Sequence, residues 1–356
     1  ARFAAGRLDS LAALSDAPEV EATVRLAIAS TLGTLGEGDT ALAVAAPAWE
    51  IRRALYGDRD ERTLEARLGV GEAHMGMRRN EEALAIFREV HAAFSETLGP
   101  DHWQTLRTLT LVGATLMSLA EDAPAEEALR SAIAGLERLG DEHAKHLYTA
   151  RRVLQILYGN MRRDEEAKRI ALEMVEQVGP LFGERSIEAA TVAGMLATIA
   201  ENEGRFDDAD EMHSKAIAIR TELLGPEHGS LIEPHANRAI ARYSAGRREE
   251  AFDDACEAAR LSERIFGVNS LDAVLSFSNA LYIGTAIGRF EDAERYGLAA
   301  YEHAPGTRVP REHVARNLAT LYAAWDEADP GKGYGEKAAR FLAEAEETTP
   351  PPTSAE

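Results

Sequence analysis

Cysteine is nearly absent from this 356-residue chain. Cys256 stands alone, which excludes an internal disulfide framework and any metal site built on several thiolates. Aromatic residues reach only 6%, too few for the aromatic and β-branched strands of a sandwich or barrel. Positive charge is also short: 39 Lys and Arg face 60 Asp and Glu, a formal net charge of −21. Such a surface repels a phosphate backbone, so nucleic acid is not an expected partner. No apolar run approaches the length of a bilayer span, so no membrane partner is expected either. No signal peptide is visible and the first residue is alanine. The expectation is a cytoplasmic chain cut from something larger. What is plentiful is hydrophobic material, 45% of residues, rich in the Ala and Leu of helices. The length suits two or three domains, or a repeat array.

One nine-residue stretch decides between these. LGPDHWQTL, from Leu98, returns as LGPEHGSLI, from Leu224, 126 residues later. That spacing is three times 42, and a 42-residue ruler finds more. Ala41, Ala83, Ala125, Ala167, Ala209, Ala251 and Ala293 all fall on it. Five residues before this alanine stand Gly36, Gly204, Gly246 and Gly288. Sixteen residues after it stand Gly57, Gly99, Gly183, Gly225 and Gly267, with Gly140 one place out of step. Seven residues after it come Ala48, Val90, Ala132, Met174, Ala216, Ala258 and Ala300, spaced for one helical face.

Each unit therefore reads as two antiparallel helices, A and B. In the second unit, helix A is expected over 63–77 and helix B over 81–97. Acidic residues at the start of B suit the positive end of its dipole. Leu98-Gly99-Pro100 ends it, because glycine reaches left-handed backbone and proline cannot continue a helix. Small residues on B allow close approach to A. A lone hairpin cannot bury its apolar face, so the units must stack. The expected fold is all-α: a right-handed solenoid of seven repeats over 18–309. A lead-in helix over 1–17 precedes them, an irregular capping hairpin over 310–346 follows, and a disordered tail fills 347–356.

These features resemble the tetratricopeptide repeat in the 42-residue form of kinesin light chains. The carriers are Val70-Gly71, Val112-Gly113 and Leu196-Ala197 in helix A, the turns GRFDDA and GRFEDA, and the LGP-acidic-His linker. The run SDAPEVEATVRLAIASTLGTLGEGDTALAVAAPAWEIRRALYG further resembles the start of the repeat region that follows the catalytic domain in bacterial serine/threonine kinases. No kinase catalytic motif accompanies it. Arg59-Asp60 lacks the preceding His and downstream Asn of a catalytic loop, and there is no DFG. The resemblance implies a non-catalytic regulatory arm; the arm of a transcriptional regulator or of a protease-like signalling protein would look the same.

Other motifs carry little chemistry. GTLGEGDT (33–40) and GKGYGEK (331–337) lack the Gly-Lys-Ser/Thr and the buried strand of a phosphate loop; the second reads as a mobile loop. His143 and His146 share a helical face near Asp141 and Glu142. They could hold a metal only with a third ligand from another unit, so no metal and no cofactor is expected. Cys256 reads as a packed, inert thiol. No nucleophile–base–orienter set is visible, so the chain is not expected to be an enzyme, although a site assembled across repeats is not visible in sequence.

In arrays this chain resembles, the A helices line the concave groove. Asn237 and Asn279 stand fourteen residues before the ruler alanine, and Asn317 occupies the matching place in the last hairpin. The resemblance implies that such asparagines clamp a ligand backbone, since a carboxamide both donates and accepts. Around them lie His235, Arg238, Arg242, Tyr243, Tyr282, Arg316 and, further upstream, Arg152. These arginines would receive an acidic peptide or a carboxylate, with Arg316 the foremost; surface ion pairs with neighbouring acids are the competing reading. In the middle units Leu68, Met75, Met117 and Met195 would suit an apolar or amphipathic helical ligand, or core packing. The expected partner is a protein or peptide.

Overall fold

The computed structural model describes residues 16–34 and 37–347. Among these, the chain forms sixteen α-helices and three single-turn 3-10 segments, with no strand. It divides into two compact units, residues 1–177 and 178–356. The first holds α1 (Pro18–Thr34), α2 (Gly38–Tyr56), α3 (Glu61–Gly76), α4 (Asn80–Thr97), α5 (Trp103–Ser118), α6 (Asp122–Leu139), α7 (Ala144–Asn160) and the start of α8 (Asp164–Phe182). The second begins within α8. It continues through α9 (Ile187–Asn202), α10 (Phe206–Leu224), α11 (Ile232–Ser244), α12 (Arg248–Phe266), α13 (Leu271–Ala286), α14 (Phe290–His303), α15 (Arg311–Ala328) and α16 (Tyr334–Glu347). Odd-numbered helices are A helices and even-numbered ones B helices, so the chain is an all-α solenoid of helix hairpins. Within each unit a B helix packs on the next A helix, as α4 does on α5 and α12 on α13. A helices also touch one another, α1 on α3 and α13 on α15. Gly36, the first fifteen residues and the tail beyond Glu347 lie outside the described residues.

The seven alanines on the 42-residue ruler are all buried, none more than 7% exposed. The residues seven positions on, two helical turns later, are buried with them. Close contact continues on the A helix. A β-carbon on Gly71 would stand 2.5 Å from Phe87, and one on Gly113 2.6 Å from Leu129.

Side-chain caps set by the same ruler open α3, α5, α9, α13 and the 3-10 turn that leads into α11. Asp60 accepts from Arg62 N at 3.0 Å, Ser186 from Ala189 N at 3.1 Å and Ser270 from Ala273 N at 3.1 Å. His102 Nδ1 accepts from Gln104 N at 3.4 Å and His228 Nδ1 from Ser230 N at 3.2 Å. The histidine of the recurring LGP-acidic-His linker is therefore a helix cap. Asp60 also explains why α3 begins at Glu61, two residues before the expected start.

Except in the last hairpin, the A–B turns close with an N–H bonded five residues back, as Arg79 N to His74 O (3.0 Å) and Arg247 N to Arg242 O (2.8 Å). This closure requires left-handed backbone at the residue just before the donor. Gly204, Gly246 and Gly288 supply it with φ of 73°, 84° and 78°. Three earlier turns place Arg78, Ala120 and Arg162 there, with φ of 58°, 59° and 59°. L side chains resist that conformation.

Stacking adds a polar element that alternates between hairpins. The residue after the ruler alanine is acidic in α6, α10 and α14. Glu126 accepts from Tyr158 Oη at 2.9 Å and Arg163 Nη1 at 2.5 Å. Asp210 accepts from Arg242 Nε at 2.8 Å and Arg247 Nη1 at 2.7 Å. Glu294 accepts from Tyr322 Oη at 2.6 Å and Lys337 Nζ at 3.0 Å. Each acid thus ties its hairpin to the following A helix and to the residues leading into or opening the following B helix. Leu84 and Phe252, both buried and apolar, hold this place in two of the other hairpins.

Candidate functional site

The A helices of the second unit, α11, α13 and α15, carry the carboxamides of Asn237, Asn279 and Asn317. All three are half-buried, and none has a side-chain hydrogen bond to the described residues. Large apolar side chains surface on two of the same helices, among them Ile240 at 50%, Leu275 at 48% and Tyr282 at 58% exposure. Tyr282 lies 5.7 Å, ring to ring, from Tyr243. The hydrogen bond with the Tyr243 hydroxyl raises the Tyr282 phenol above its ordinary range. Unpaired amides beside exposed apolar groups can bind a segment that offers both main-chain polar groups and side chains.

The cations expected beside the asparagines are held differently. Asp254, on α12, is 4% exposed and sits beneath α11. Its Oδ1 faces His235 Nδ1 at 2.8 Å and accepts from Arg238 Nη2 at 2.6 Å; Oδ2 accepts from Arg238 Nε at 2.8 Å and Arg242 Nη1 at 2.9 Å. Arg238 Nη1 donates to Ser214 Oγ at 2.9 Å. Every guanidinium nitrogen of Arg238 therefore already donates within the unit, and Arg242 bridges Asp254 and Asp210. Burial pushes the Asp254 carboxyl up, but hydrogen bonds from His235 and Arg238 and the charges of Arg238 and Arg242 hold it below the usual carboxylate range. Two carboxylates and three arginines, Arg247 included, make a largely buried, ion-paired network that braces α10, α11 and α12. The ion-pair reading of Arg238 and Arg242 is the one the geometry supports. Arg316 is exposed beside Asn317. Arg152 is half-buried on α7, in the other unit.

Asp254 and Asp210 escaped sequence reasoning. The signal was present: three places past the ruler alanine stand Val44, Ile86, Ala128, Ile170, Met212 and Tyr296, and only Asp254 is charged. A lone charge in an apolar column marks a buried partner.

The remaining candidates have structural surroundings. Trp103 stacks on His143 and His146, with ring centroids 5.7 and 5.0 Å away. Burial first, then the charges of Arg107 and His143, lower the His146 pKa. No group of three or more His, Cys, Asp or Glu among the described residues could hold a metal. Cys256 is half-buried; burial pushes its thiol up, with Tyr296 as hydrogen-bond partner. The Tyr296 phenol is pushed up to about 12, chiefly by burial and then by that bond. Within the two loop glycine motifs α2 begins at Gly38 and α16 at Tyr334; Leu35 and Gly36 of the first lie outside the described residues. Among the described residues no helix is long and apolar enough to cross a membrane.

Hairpins joined by left-handed turns, with an alanine comb at their contact, define a helical-repeat solenoid. A sequence profile described as tetratricopeptide repeat matches residues 65–138 and 188–264. Those two segments are tetratricopeptide repeats, and repeats of this kind build protein-interaction scaffolds. No curated protein matches it in sequence. Solved structures share the fold at low identity. One is a signal-transduction ATPase with numerous domains and a tetratricopeptide repeat sensor from Pyrococcus horikoshii: 14% identity, 93% of this chain and 53% of that one, TM-score 0.66. Another is the apo quorum sensor NprR from B. thuringiensis: 12% identity, 92% of this chain and 88% of that one, TM-score 0.59. A third is a Rap protein complexed with Competence and Sporulation Factor: 15% identity, 92% of this chain and 98% of that one, TM-score 0.57.

Proposed function

We propose that the A-helix face of the second unit binds an extended segment of a partner protein. Asn237 and Asn279 clamp its main chain, and Ile240, Leu275 and Tyr282 pack on its side chains. The observation that carries this reading is the pair of carboxamides at equivalent helix positions, neither hydrogen-bonded to a side chain or backbone group among the described residues. An extended peptide leaves N–H and C=O groups unpaired, and carboxamides satisfy both. Asn317 continues the row, and Arg316 beside it, exposed on the same helix, is the cation proposed to meet a ligand carboxylate. A Rap protein of the same fold, complexed with Competence and Sporulation Factor, is consistent with an array of this kind holding a ligand. We place the chain as the non-catalytic regulatory arm of a bacterial serine/threonine kinase, on the likeness of its residues 15–57 to the repeat regions of such kinases.

The test is partner capture by the wild type and by a variant carrying Asn237→Ala, Asn279→Ala and Arg316→Ala, both checked for equal helicity by circular dichroism. A partner held by the first and lost by the second supports the clamp. Identical partners on both overturn it. Kinase motifs in the parent polypeptide upstream of Ala1 would support the setting, and their absence would sink it.

A further inference from the structure

The A-helix face of the first unit has a different chemistry. There α1, α3 and α5 enclose a cleft of about 520 Å³. Leu26, Leu68, Met75 and Leu111 wall it, and Gly69 and Ala73 leave its floor low. Gly69 stands at the helix position of Asn237, four repeats earlier. A β-carbon built there would press on Leu26 Cδ2 at 3.2 Å, closer than ordinary van der Waals contact, so a side chain at this position would crowd the cleft wall. An apolar cleft with a few placed polar groups is the usual form of a side-chain pocket.

Those polar groups are Glu65, Glu72 and Arg107. Glu72 has a single contact with Arg107, Oε1 to Nη2 at 3.1 Å. Burial raises the Glu72 carboxyl above its ordinary range, and the Arg107 charge offsets only part of that shift. Glu65 accepts from the Gln104 amide at 3.3 Å and lies 3.9 Å from Arg52, which is closer to Glu19 at 3.1 Å. The Gln104 amide also bonds Glu61 at 2.8 Å. Two carboxylates thus face the cleft against one guanidinium, on a chain of net charge −21. An incoming cation would complete the pairing that Arg107 leaves partial.

We propose that this cleft seats an apolar side chain of a partner peptide whose neighbouring residue is lysine or arginine, the cation pairing with Glu72 and Glu65. The inference rests on the reading that A-helix faces of this array hold peptide, and it assigns the first unit its own ligand chemistry. An anionic neighbour would meet two carboxylates and be repelled.

The test uses three fluorescein-labelled dodecapeptides, alike except that a central leucine is flanked by lysines, by glutamates or by serines. Fluorescence anisotropy should rank lysine over serine over glutamate. The lysine peptide should bind on the order of tenfold tighter than the glutamate one, a margin that shrinks as salt rises. Gly69→Leu should fill the cleft and abolish binding of the lysine peptide. Glu72→Gln, which preserves shape, should keep leucine-dependent binding while erasing most of the preference for lysine. A lysine peptide that binds Gly69→Leu as well as wild type overturns the inference, as does a charge preference unchanged by Glu72→Gln. The Asn237→Ala, Asn279→Ala variant separates the two readings. Partner capture lost there, with no cleft effect from Gly69→Leu, leaves the clamp standing and removes the cleft. Capture unchanged in every variant removes both.

Discussion

The helix position that holds Asn237 and Asn279 in the second unit holds Gly69 and Leu111 in the first, and the two faces differ accordingly. The second offers carboxamides over a floor of largely buried, ion-paired charge. The first offers an apolar cleft rimmed by carboxylates. The backbone frame is common to both, since the ruler alanines, the A-helix caps and the turn closures recur across the division. A repeat array can therefore change its recognition chemistry one helix position at a time while its frame stays fixed. The charged floor has no counterpart among the equivalent positions of the first unit, where Val44, Ile86, Ala128 and Ile170 stand in place of Asp254.

The sharpest way to break this comparison is to remove Asp254. Asp254→Ala leaves Arg238 and Arg242 without their main acceptor, and breaking one side of a buried ion pair costs about 3–5 kcal/mol. Urea denaturation should show a loss in that range, whereas Ile86→Ala, a simple cavity at the same register, should cost about 2–5 kcal/mol without any salt dependence. An Asp254→Ala loss below about 1 kcal/mol would mean that the network contributes little and that the two units differ less than their residues suggest.

The shared frame predicts equal sensitivity on both sides. Ala83→Leu in the first unit and Ala209→Leu in the second each force a longer side chain into a contact that leaves no exposed surface. Each should cost roughly 1–3 kcal/mol by overpacking. A thermal midpoint unchanged in either variant would show that its alanine is not a contact point.

That frame was legible in the sequence because its causes are backbone causes. A left-handed turn wants glycine, a close helix crossing wants alanine, and both recur at the period of the hairpin. Asp254 was not legible as a buried group because burial of a charge depends on what faces it: His235 and Arg238 were read as groove residues, while Asp254 in DDACEAA looks like solvated helix. The cleft was still harder to see. It is made by what Gly69 and Ala73 lack, next to leucines and a methionine that core packing would explain equally well. Asn237, Asn279 and Asn317 were visible from sequence, and their half-buried, unpaired state adds the physical reason to keep them as candidates.

The units should also respond differently to mild acid. His91 and His146, both in the first unit, have pKa values lowered first by burial. The unfolded chain therefore takes up their protons more readily, so stability present above about pH 6.5 is lost as pH falls toward and through the folded values. Asp254 titrates lower. Its folded pKa lies below that of an ordinary carboxyl, so its contribution persists above about pH 3.9 and disappears only as pH falls further. Between pH 7 and pH 5.5 the slope of stability should flatten in a His91→Leu, His146→Phe variant. A slope equal to that of the wild type would mean that these two imidazoles do not set the acid sensitivity of the first unit.

The smallest expected effect tests the frame at its most local point. Three turns in the first unit hold Arg78, Ala120 and Arg162 in the left-handed region that Gly204, Gly246 and Gly288 fill in the second. A left-handed L residue carries a penalty of about 1–2 kcal/mol, while a new glycine makes the unfolded chain freer by about 0.4–1 kcal/mol. Ala120→Gly should therefore stabilise by about 0.5–1 kcal/mol, the difference of those terms. Gly246→Ala, the opposite exchange in the second unit, should destabilise by a similar amount. Ala120 suits the experiment because its side chain is exposed and its removal disturbs no packing. A destabilised Ala120→Gly variant would mean that the turn is held by its own Glu121 N to Leu116 O closure at 3.0 Å without strain. The glycines of the second unit would then mark a preference of sequence rather than a requirement of the fold.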